Sequence, residues 1–278
     1  TFRDDNRVST GTVLDVDMDG KPEIFILIDD FFGPNKDKIK CINNDGTLRW
    51  VSDFPGSQYR PYHRSGGLAM ADFNMDGVPE LYINNKIFNA QTGKLLVDGG
   101  SNAIGVSRDT FLSINFTTSV AAQLDDDPTD LELAAGYSIY KVKITNKNGR
   151  VGNTMTASNM MVDKEYRDGL TSIADINLDG KLDVVVASAR ANNAGLVYAY
   201  CLDNSGNPKL IAKCYPPSPY NYIGIVSIGK VSNSIYPSLI FDRVNITYSY
   251  IYDGTTQLKL QWSLPNQDES GSLGVSLF

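Results

Sequence analysis

Histidine and cysteine, which form most transition-metal sites and many nucleophilic active sites, are scarce in this chain. Its 278 residues include one histidine and three cysteines, Cys41, Cys201 and Cys214. These residues are too far apart in sequence for a typical zinc motif, which places pairs of ligands a few residues from one another. Cys41 and Cys201 each precede a similar polar turn, so we expect them to fill equivalent places in a repeated core. Their disulfide state does not follow from the sequence.

Excess positive charge and long apolar segments are also missing. The formal net charge is −7, which argues against a nucleic-acid partner because no basic stripe is available to neutralise phosphates. No apolar run approaches the roughly 18 residues of a membrane-spanning helix. No segment sustains the period of about 3.6 residues that marks an amphipathic helix, and this predicts an all-β fold.

Acidic residues, by contrast, recur in the pattern Asp-x-Asp/Asn-x-Asp-Gly-x-x-Asp/Glu. Its oxygen-bearing side chains stand at positions 1, 3, 5 and 9, with glycine at position 6. Complete copies occupy residues 15–23, 72–80 and 175–183, and residues 123–132 form a degenerate copy with one additional residue. A fifth unit, residues 228–240, keeps the framework but has lost the acids, with Ser238 at position 9. We name these segments loops 1 to 5 in chain order, so the complete copies are loops 1, 2 and 4.

Each loop lies between two strand-like runs rich in apolar and β-branched residues, and a polar turn with glycine follows. Apolar runs flank these turns as in β-hairpins. The turns are residues 44–46, 91–93, 147–149, 204–206 and 253–254. Four strands in about 50–57 residues are typical of one blade of a β-propeller. The sequence therefore predicts a single propeller domain over residues 1–278, truncated at one or both ends, with five blades and the start of a sixth at 271–278.

The spacing within the loop predicts a hard-cation site. Because polar positions alternate with apolar ones, the oxygens can converge while positions 2 and 4 turn towards the core. The residues at positions 2 and 4 are Val16, Met18, Phe73, Met75, Ile176 and Leu178. Oxygen ligands without histidine or cysteine favour calcium over zinc or copper, and a flexible loop favours calcium over magnesium. An EF-hand would need a glutamate at position 12, where the complete copies have Ile26, Ile83 and Val186.

The acidic pattern and its spacing resemble the FG-GAP repeat of integrin α-subunit propellers and their bacterial relatives, over nearly the whole chain. The Phe-Gly and Gly-Ala-Pro residues that name the repeat are lacking, so the chain is nearer the secreted bacterial variants. The resemblance implies a propeller, usually of about seven blades in the parent protein, with calcium between the first two strands of a blade.

The ligands that the resemblance implies are the side chains at positions 1, 3, 5 and 9 and the backbone carbonyl at position 7. In loop 1 these are Asp15, Asp17, Asp19, Lys21 and Glu23; in loop 2, Asp72, Asn74, Asp76, Val78 and Glu80; in loop 4, Asp175, Asn177, Asp179, Lys181 and Asp183. A fourth site in loop 3 would use Asp125, Asp127 and Glu132, with a metal-free loop as an equal alternative. Loop 5 should bind no metal.

Two functions are compatible with these features. The first is an extracellular or cell-surface recognition or adhesion module with structural calcium, which binds a glycan or protein partner. The second is a calcium-dependent polysaccharide lyase, or the non-catalytic propeller of one, as occurs among propellers of this kind. A lyase needs a base in a cleft, and the single histidine, His63, is expected in an exposed loop. The binding module is therefore the favoured interpretation.

The predicted partner surface is the face opposite the acidic loops. The connections between units on that face are long and rich in tyrosine and arginine, which are enriched in binding hot spots. The candidate contact residues are Tyr59, Arg60, Tyr62, His63, Arg64, Arg108, Tyr166, Arg167, Tyr220 and Tyr222. An arginine recurs before the loops, at Arg7, Arg64, Arg108 and Arg167. It could equally anchor one blade to its neighbour.

Overall fold

The structure is a computed structural model that describes residues 7–29, 38–54, 67–108, 115–160, 165–189, 195–217 and 223–267. These residues form 22 β-strands and no helix, which confirms the all-β prediction. Among them there is accordingly no helix that is long and apolar enough to span a membrane. The predicted start of a sixth unit at 271–278 lies outside the described residues.

Twenty of the strands form five four-stranded antiparallel sheets, and in each sheet the strands are neighbours in chain order. Sheet 1 contains β1 (Arg7–Leu14), β2 (Glu23–Asp29), β3 (Ile39–Ile42) and β4 (Leu48–Val51). Sheet 2 contains β5 (Ala69–Ala71), β6 (Glu80–Ile83), β7 (Lys86–Phe88) and β8 (Leu95–Asp98). A separate hairpin of β9 (Val106–Arg108) and β10 (Asn115–Thr117) follows.

The remaining three sheets repeat the same order. Sheet 3 contains β11 (Ser119–Ala122), β12 (Glu132–Ala135), β13 (Ser138–Lys143) and β14 (Thr154–Asn159). Sheet 4 contains β15 (Leu170–Ala174), β16 (Asp183–Ala189), β17 (Gly195–Leu202) and β18 (Pro208–Cys214). Sheet 5 contains β19 (Ser227–Gly229), β20 (Ser238–Asp242), β21 (Ile246–Tyr252) and β22 (Leu258–Pro265).

Every loop has the same place in its sheet, between the first and second strands. Position 9 is the first residue of the second strand and pairs with the last residue of the first strand. The pairs are Leu14 with Glu23, Ala71 with Glu80, Ala122 with Glu132, Ala174 with Asp183 and Gly229 with Ser238. The predicted glycine turns connect the third and fourth strands of all five sheets. The repeat of four strands, loop and turn is thus confirmed.

A β-bulge recurs between the third and fourth strands of sheets 1, 2, 4 and 5. In sheet 1 the partner of Cys41 is Trp50 and that of Ile42 is Leu48, which leaves Arg49 as the additional residue. By the same pairing, the additional residue is Leu96 in sheet 2, Ile211 in sheet 4 and Gln261 in sheet 5. A bulge directs one side chain differently from its neighbours in the strand. Because the bulge has a fixed place relative to the loop, it controls what faces that loop.

The hydrophobic core consists of four clusters, each of which lies between consecutive sheets. The cluster between sheets 1 and 2 includes Phe25 and Phe88, and the cluster between sheets 4 and 5 includes Val197 and Phe241. First strands of neighbouring sheets also contact each other, as β11 contacts β15 and β15 contacts β19. Sheets stacked face to face in chain order are the arrangement of propeller blades.

The three cysteines are buried and unpaired. Cys41 lies in β3 and Cys201 in β17, the third strands of sheets 1 and 4, and each packs in an inter-sheet core. The prediction that both thiols pack in the repeated core is confirmed, but their places are not equivalent. Cys41 pairs with Phe25, two residues after position 9. In sheet 4 the residue paired at that place is Ala199, two residues before Cys201. Burial raises the pKa of the Cys41 thiol to about 12, so it behaves as a small apolar side chain.

Candidate functional site

The three complete loops share one hydrogen-bond framework built by the aspartates at positions 1 and 5. The position-1 carboxylate accepts the backbone N–H of positions 5 and 6, and the position-5 carboxylate accepts that of position 7. In loop 1, Asp15 accepts from Asp19 at 3.1 Å and Gly20 at 2.8 Å, and Asp19 accepts from Lys21 at 2.8 Å. Loops 2 and 4 repeat these bonds through Asp72, Asp76, Asp175 and Asp179. The framework curls each loop around its acidic side chains.

The acid at position 9 connects the loop to the core. Glu23, Glu80 and Asp183 are at most 3% exposed. Each accepts the backbone N–H of position 2, from Val16 at 3.1 Å, Phe73 at 3.0 Å and Ile176 at 3.0 Å respectively. Position 2 is itself buried, as predicted for Val16, Phe73 and Ile176.

The prediction that position 4 also turns towards the core is wrong. Met18, Met75 and Leu178 are 69%, 47% and 54% exposed. Their φ angles are +59°, +54° and +60°, and the glycine at position 6 also has positive φ. Simple alternation of apolar residues assumes an extended backbone, whereas this left-handed residue reverses the direction of the side chain. The reversal leaves the inner side of the loop to oxygen atoms.

Buried oxygen atoms without a hydrogen-bond partner occur in loops 2, 3 and 4. They are Asn74 Oδ1 in loop 2, Asp130 Oδ1 and Glu132 Oε1 in loop 3, and Asp183 Oδ1 in loop 4. A buried oxygen without a donor is costly. Burial also raises the pKa of Glu80 and of Asp183 to about 7 and that of Glu132 to about 6. A cation coordinated by these oxygens would remove both costs, so the donor set fits a hard metal ion.

Loop 3 brings together a different set of acids from the predicted one. Carboxylate oxygens of Asp125, Asp130 and Glu132 lie within 4.8 Å of one another. Asp127, which was predicted as a ligand, lies outside this group and accepts hydrogen bonds from Thr129. Lys141 Nζ lies 2.9 Å from Asp125 Oδ2 and 3.5 Å from Asp127 Oδ2. The additional residue of this copy lengthens the loop and brings Asp130 into the cluster. Sequence spacing alone pointed to position 5 and therefore missed Asp130.

Loop 1 also forms a cluster, in which oxygens of Asp15, Asp17 and Asp19 lie within 4.8 Å of one another. A basic side chain lies beside its acids, and in loop 2 Lys147 Nζ, from the turn of sheet 3, lies 2.5 Å from Asp76 Oδ2. In loop 1 the basic side chain is an arginine of the same sheet. Arg49 Nη1 lies 2.8 Å from Asp17 Oδ2 and 3.2 Å from Glu23 Oε1. The hydrogen bond from Arg49 lowers the pKa of Asp17. Sequence analysis did not select Arg49, since a bulge between β3 and β4 cannot be read from the residue pattern.

Loop 5 keeps the hydrogen bond from position 7 to position 5, with a hydroxyl group in place of the carboxylate. Ser232, at position 3, accepts from the Ser234 backbone N–H at 3.3 Å, and Ser234, at position 5, accepts from Tyr236 at 3.2 Å. Ser238 donates to Gln261 Oε1 at 2.8 Å. No carboxylate stands at positions 1, 3, 5 or 9 of this loop, and its lack of metal binding stays a prediction.

The predicted partner surface is only partly covered by the described residues. Tyr59, Arg60, Tyr62, His63, Arg64, Tyr220 and Tyr222 lie outside them, and for Arg108 the structure describes only the backbone, in β9. Arg167 is exposed. Tyr166 is 6% exposed, and its ring lies 5.1 Å from that of Tyr198 in the core between sheets 3 and 4. The expectation that Tyr166 is a surface contact is therefore corrected, because its ring is packed inside.

Residues 15–83 match the model of the FG-GAP-like repeat. The match begins at position 1 of loop 1 and extends beyond loop 2 into β6, so it covers the first two acidic loops. The resemblance predicted from those loops is confirmed for this segment. No curated protein sequence matches the chain.

Three solved structures resemble this chain at low sequence identity. The V. cholerae biofilm matrix protein Bap1 has 16% identity and a TM-score of 0.48, over 87% of this chain and 36% of its own. The exotype rhamnogalacturonan lyase YesX has 15% identity and a TM-score of 0.40, over 91% of this chain and 41% of its own. BBS1N, in complex with ARL6DN, has 12% identity and a TM-score of 0.33, over 90% and 81%. This chain thus spans well under half the length of the first two.

Proposed function

We propose that this chain is a β-propeller recognition module whose acidic loops hold structural calcium ions. The observation that carries the calcium part is the set of buried, unpartnered oxygens in loops 2, 3 and 4, each inside a repeated oxygen-rich framework. The ligands would be the side chains at positions 1, 3, 5 and 9, with the carbonyl at position 7. In loop 3 the acids would be Asp125, Asp130 and Glu132. Calcium suits such sites because it accepts six to eight oxygens in flexible geometry.

The role of the ions would be to stiffen contacts between sheets. The backbone carbonyl of position 2 accepts a hydrogen bond from the next unit: Gln91 Nε2 donates to Val16 O at 2.9 Å, and the Leu131 N–H donates to Phe73 O at 3.1 Å. A loop that is fixed by a cation would present these contacts in one conformation. The ions therefore support the scaffold rather than perform chemistry.

The recognition part of the proposal rests on the scaffold and its connections. Rigid stacked sheets with long connections rich in tyrosine and arginine are a common basis for binding sites. Calcium loops of extracellular modules bind in the range of about 0.1 to 1 mM, and loops of that affinity would be filled at a secreted or cell-surface location. We propose a glycan or a protein as the partner, bound on the face opposite the loops, by one part of a longer chain whose full propeller has about seven blades.

Thermal unfolding with and without calcium tests the metal part. In EDTA the melting temperature should fall, and millimolar calcium should restore it, with each site contributing about 1 kcal/mol. Magnesium at the same concentration should have a smaller effect. The variant Asp76→Asn/Asp179→Asn removes one acid from each of loops 2 and 4 and should lose most of the calcium response. A melting temperature indifferent to both EDTA and calcium would refute the metal sites.

Binding and turnover assays separate a recognition module from an enzyme. The purified chain, with calcium, would be tested against acidic polysaccharides such as pectin and sulfated glycans, both for retention and for release of unsaturated products. We expect retention of a ligand without product. Release of unsaturated sugars that disappears in His63→Ala would instead establish a lyase.

A further inference from the structure

Arg49 contacts oxygen atoms of two side chains that would also coordinate a metal ion in loop 1. As the additional residue of the bulge in sheet 1, it turns towards the loop and bridges position 3 and position 9. Its Nη1 atom lies 2.8 Å from Asp17 Oδ2 and 3.2 Å from Glu23 Oε1. The Arg49 side chain is 25% exposed and that of Glu23 is 4% exposed, so the contact lies largely out of solvent.

The bulge residue of sheet 5 makes the same bridge in a loop without acids. Gln261 Oε1 accepts from the Ser238 hydroxyl at 2.8 Å, and Gln261 Nε2 donates to the Ser232 hydroxyl at 3.1 Å. Ser232 and Ser238 stand at positions 3 and 9, as Asp17 and Glu23 do. A side chain from the bulge thus closes the loop directly in sheet 5.

The bulge residues of sheets 2 and 4 are apolar and buried, Leu96 and Ile211. Neither can bridge loop oxygens, and both corresponding loops retain a buried oxygen without a partner, Asn74 Oδ1 and Asp183 Oδ1. Loop 1, which lies wholly within the described residues, retains none. Loop 1 also has four carboxylates where loops 2 and 4 have three each, so the guanidinium of Arg49 offsets the charge of the additional carboxylate.

We infer that Arg49 is a built-in counter-cation that competes with metal in loop 1, so that loop 1 binds calcium more weakly than it would without this guanidinium. The inference rests on the proposed calcium binding. A metal ion in loop 1 must share or displace the oxygens of Asp17 and Glu23 that Arg49 contacts, and it meets a second positive charge at close range. The bulge residue would thereby set the calcium affinity of each loop, through charge in sheet 1 and through apolar character in sheets 2 and 4.

Calorimetric titration with calcium tests the inference. Loop 1 is isolated by Asp76→Asn, Asp125→Asn and Asp179→Asn, which weaken loops 2, 3 and 4 at exposed or partly exposed acids. In this background Arg49→Leu, which copies the residue type of sheets 2 and 4, should tighten calcium binding about tenfold or more. Arg49→Gln, which copies sheet 5 and keeps a neutral bridge, should tighten it by less. Lys94→Leu removes one cation that pairs with Asp53, outside the loops, and should leave the affinity unchanged.

The two proposals fail in distinguishable ways. If the chain with all loops intact binds no calcium, the proposed function and this inference fall together. If that chain binds calcium, but both Arg49 variants bind it in loop 1 no more tightly than the unsubstituted background, Arg49 is not a competitor. If both bind it more weakly, Arg49 instead orients Asp17 and Glu23 for the metal, and the inference is overturned. Arg49→Gln retains a hydrogen-bonding side chain, so the calcium affinity of this variant decides the question if Arg49→Leu does not fold.

Discussion

The acid at position 9 has a structural role that is independent of any metal. Glu80 accepts a hydrogen bond from the backbone N–H of Phe73. The side chain of Phe73 is 1% exposed and packs in the core between sheets 2 and 3. Without a cation, however, the charge of Glu80 is unfavourable, since burial raises its pKa to about 7. Between the ordinary glutamate pKa and about pH 7, the Glu80 carboxyl group is therefore mostly protonated in the folded state, whereas the same group in the unfolded chain is ionised.

We expect Glu80→Gln to change the sign of its effect on stability with calcium. At about pH 8 in EDTA the amide keeps an acceptor for Phe73 and removes the buried charge, so it should raise the free energy of unfolding by about 1 kcal/mol. The cost of the charge is present above the folded pKa and disappears as the pH falls, so this gain should vanish towards about pH 4. In millimolar calcium the variant should be the less stable protein. Urea unfolding in EDTA and in calcium measures the stability difference between the variant and the unsubstituted protein under each condition.

The matched control for that experiment is Glu80→Ala. It removes the acceptor as well as the charge, which leaves the buried Phe73 N–H without a partner at a cost of about 1–3 kcal/mol. It should therefore destabilise the protein in EDTA and in calcium alike. Equal effects of the Gln and Ala variants in EDTA would show that the hydrogen bond to Phe73 contributes nothing.

At the scale of the element, each complete loop depends on two residues in the left-handed conformation, at positions 4 and 6. Position 6 is glycine, which adopts this conformation without strain, whereas position 4 is methionine or leucine at φ between +54° and +60°. An ordinary residue in this region is strained by about 1 kcal/mol. The exposed side chains at position 4 have few contacts to offset that strain.

Met18→Gly should therefore stabilise the protein. The side chain is 69% exposed, so little packing is lost, and glycine relieves the left-handed strain; we expect a gain of about 0.5–1 kcal/mol in the free energy of unfolding. Val13→Gly serves as the control, because Val13 is 59% exposed in strand β1 and glycine there should cost a similar amount. Urea unfolding would compare them, and a loss of stability in Met18→Gly would show that the loop has another conformation.

At the scale of the whole molecule, the loops join sheets that have separate hydrogen-bond networks. The N–H of Leu131, in loop 3, donates to Phe73 O in loop 2, and Lys181 Nζ of loop 4 lies 3.0 Å from Asp126 Oδ2 in loop 3. A cation bound in one loop, as proposed, would thus act on a neighbouring sheet. This coupling distinguishes a stack of sheets from a set of independent hairpins.

Calcium should slow hydrogen exchange of the Leu131 amide through loop 2. We expect calcium to protect this amide in the native chain and in Asp125→Asn, where loop 3 is weakened. Asp76→Asn should abolish the protection, because the acid that it removes is in the loop that holds Phe73. Exchange measured by NMR in calcium and in EDTA resolves this single amide. Protection that survives Asp76→Asn would place the effect within loop 3 itself.

Much of the fold of this protein could be predicted from its sequence because the same local pattern of acids and glycines recurs in several units. Acids at fixed positions, glycine at position 6 and a glycine turn later in each unit predicted five similar sheets and the place of each loop between first and second strands. The acids at positions 1, 5 and 9 accept the hydrogen bonds that shape each complete loop, and their role as metal ligands, with position 3, stays a prediction. These features depend on residues close in sequence, whose geometry is set by the backbone of one loop.

Only the tertiary structure decided which side chains from other strands face each loop. The β-bulge between the third and fourth strands sets which side chain faces each loop, and a bulge depends on the register of two paired strands. The bulge residue contacts the loop in sheets 1 and 5 and packs in the core in sheets 2 and 4. These residues are Arg49, Gln261, Leu96 and Ile211. Asp130 joins loop 3 because an additional residue changes its curvature, and position 4 points outwards because its φ is positive. The sequence by itself determined the acidic loops and their repetition, since those are local. Strand register and sheet stacking, which join residues far apart in the chain, determined how each loop is balanced in charge.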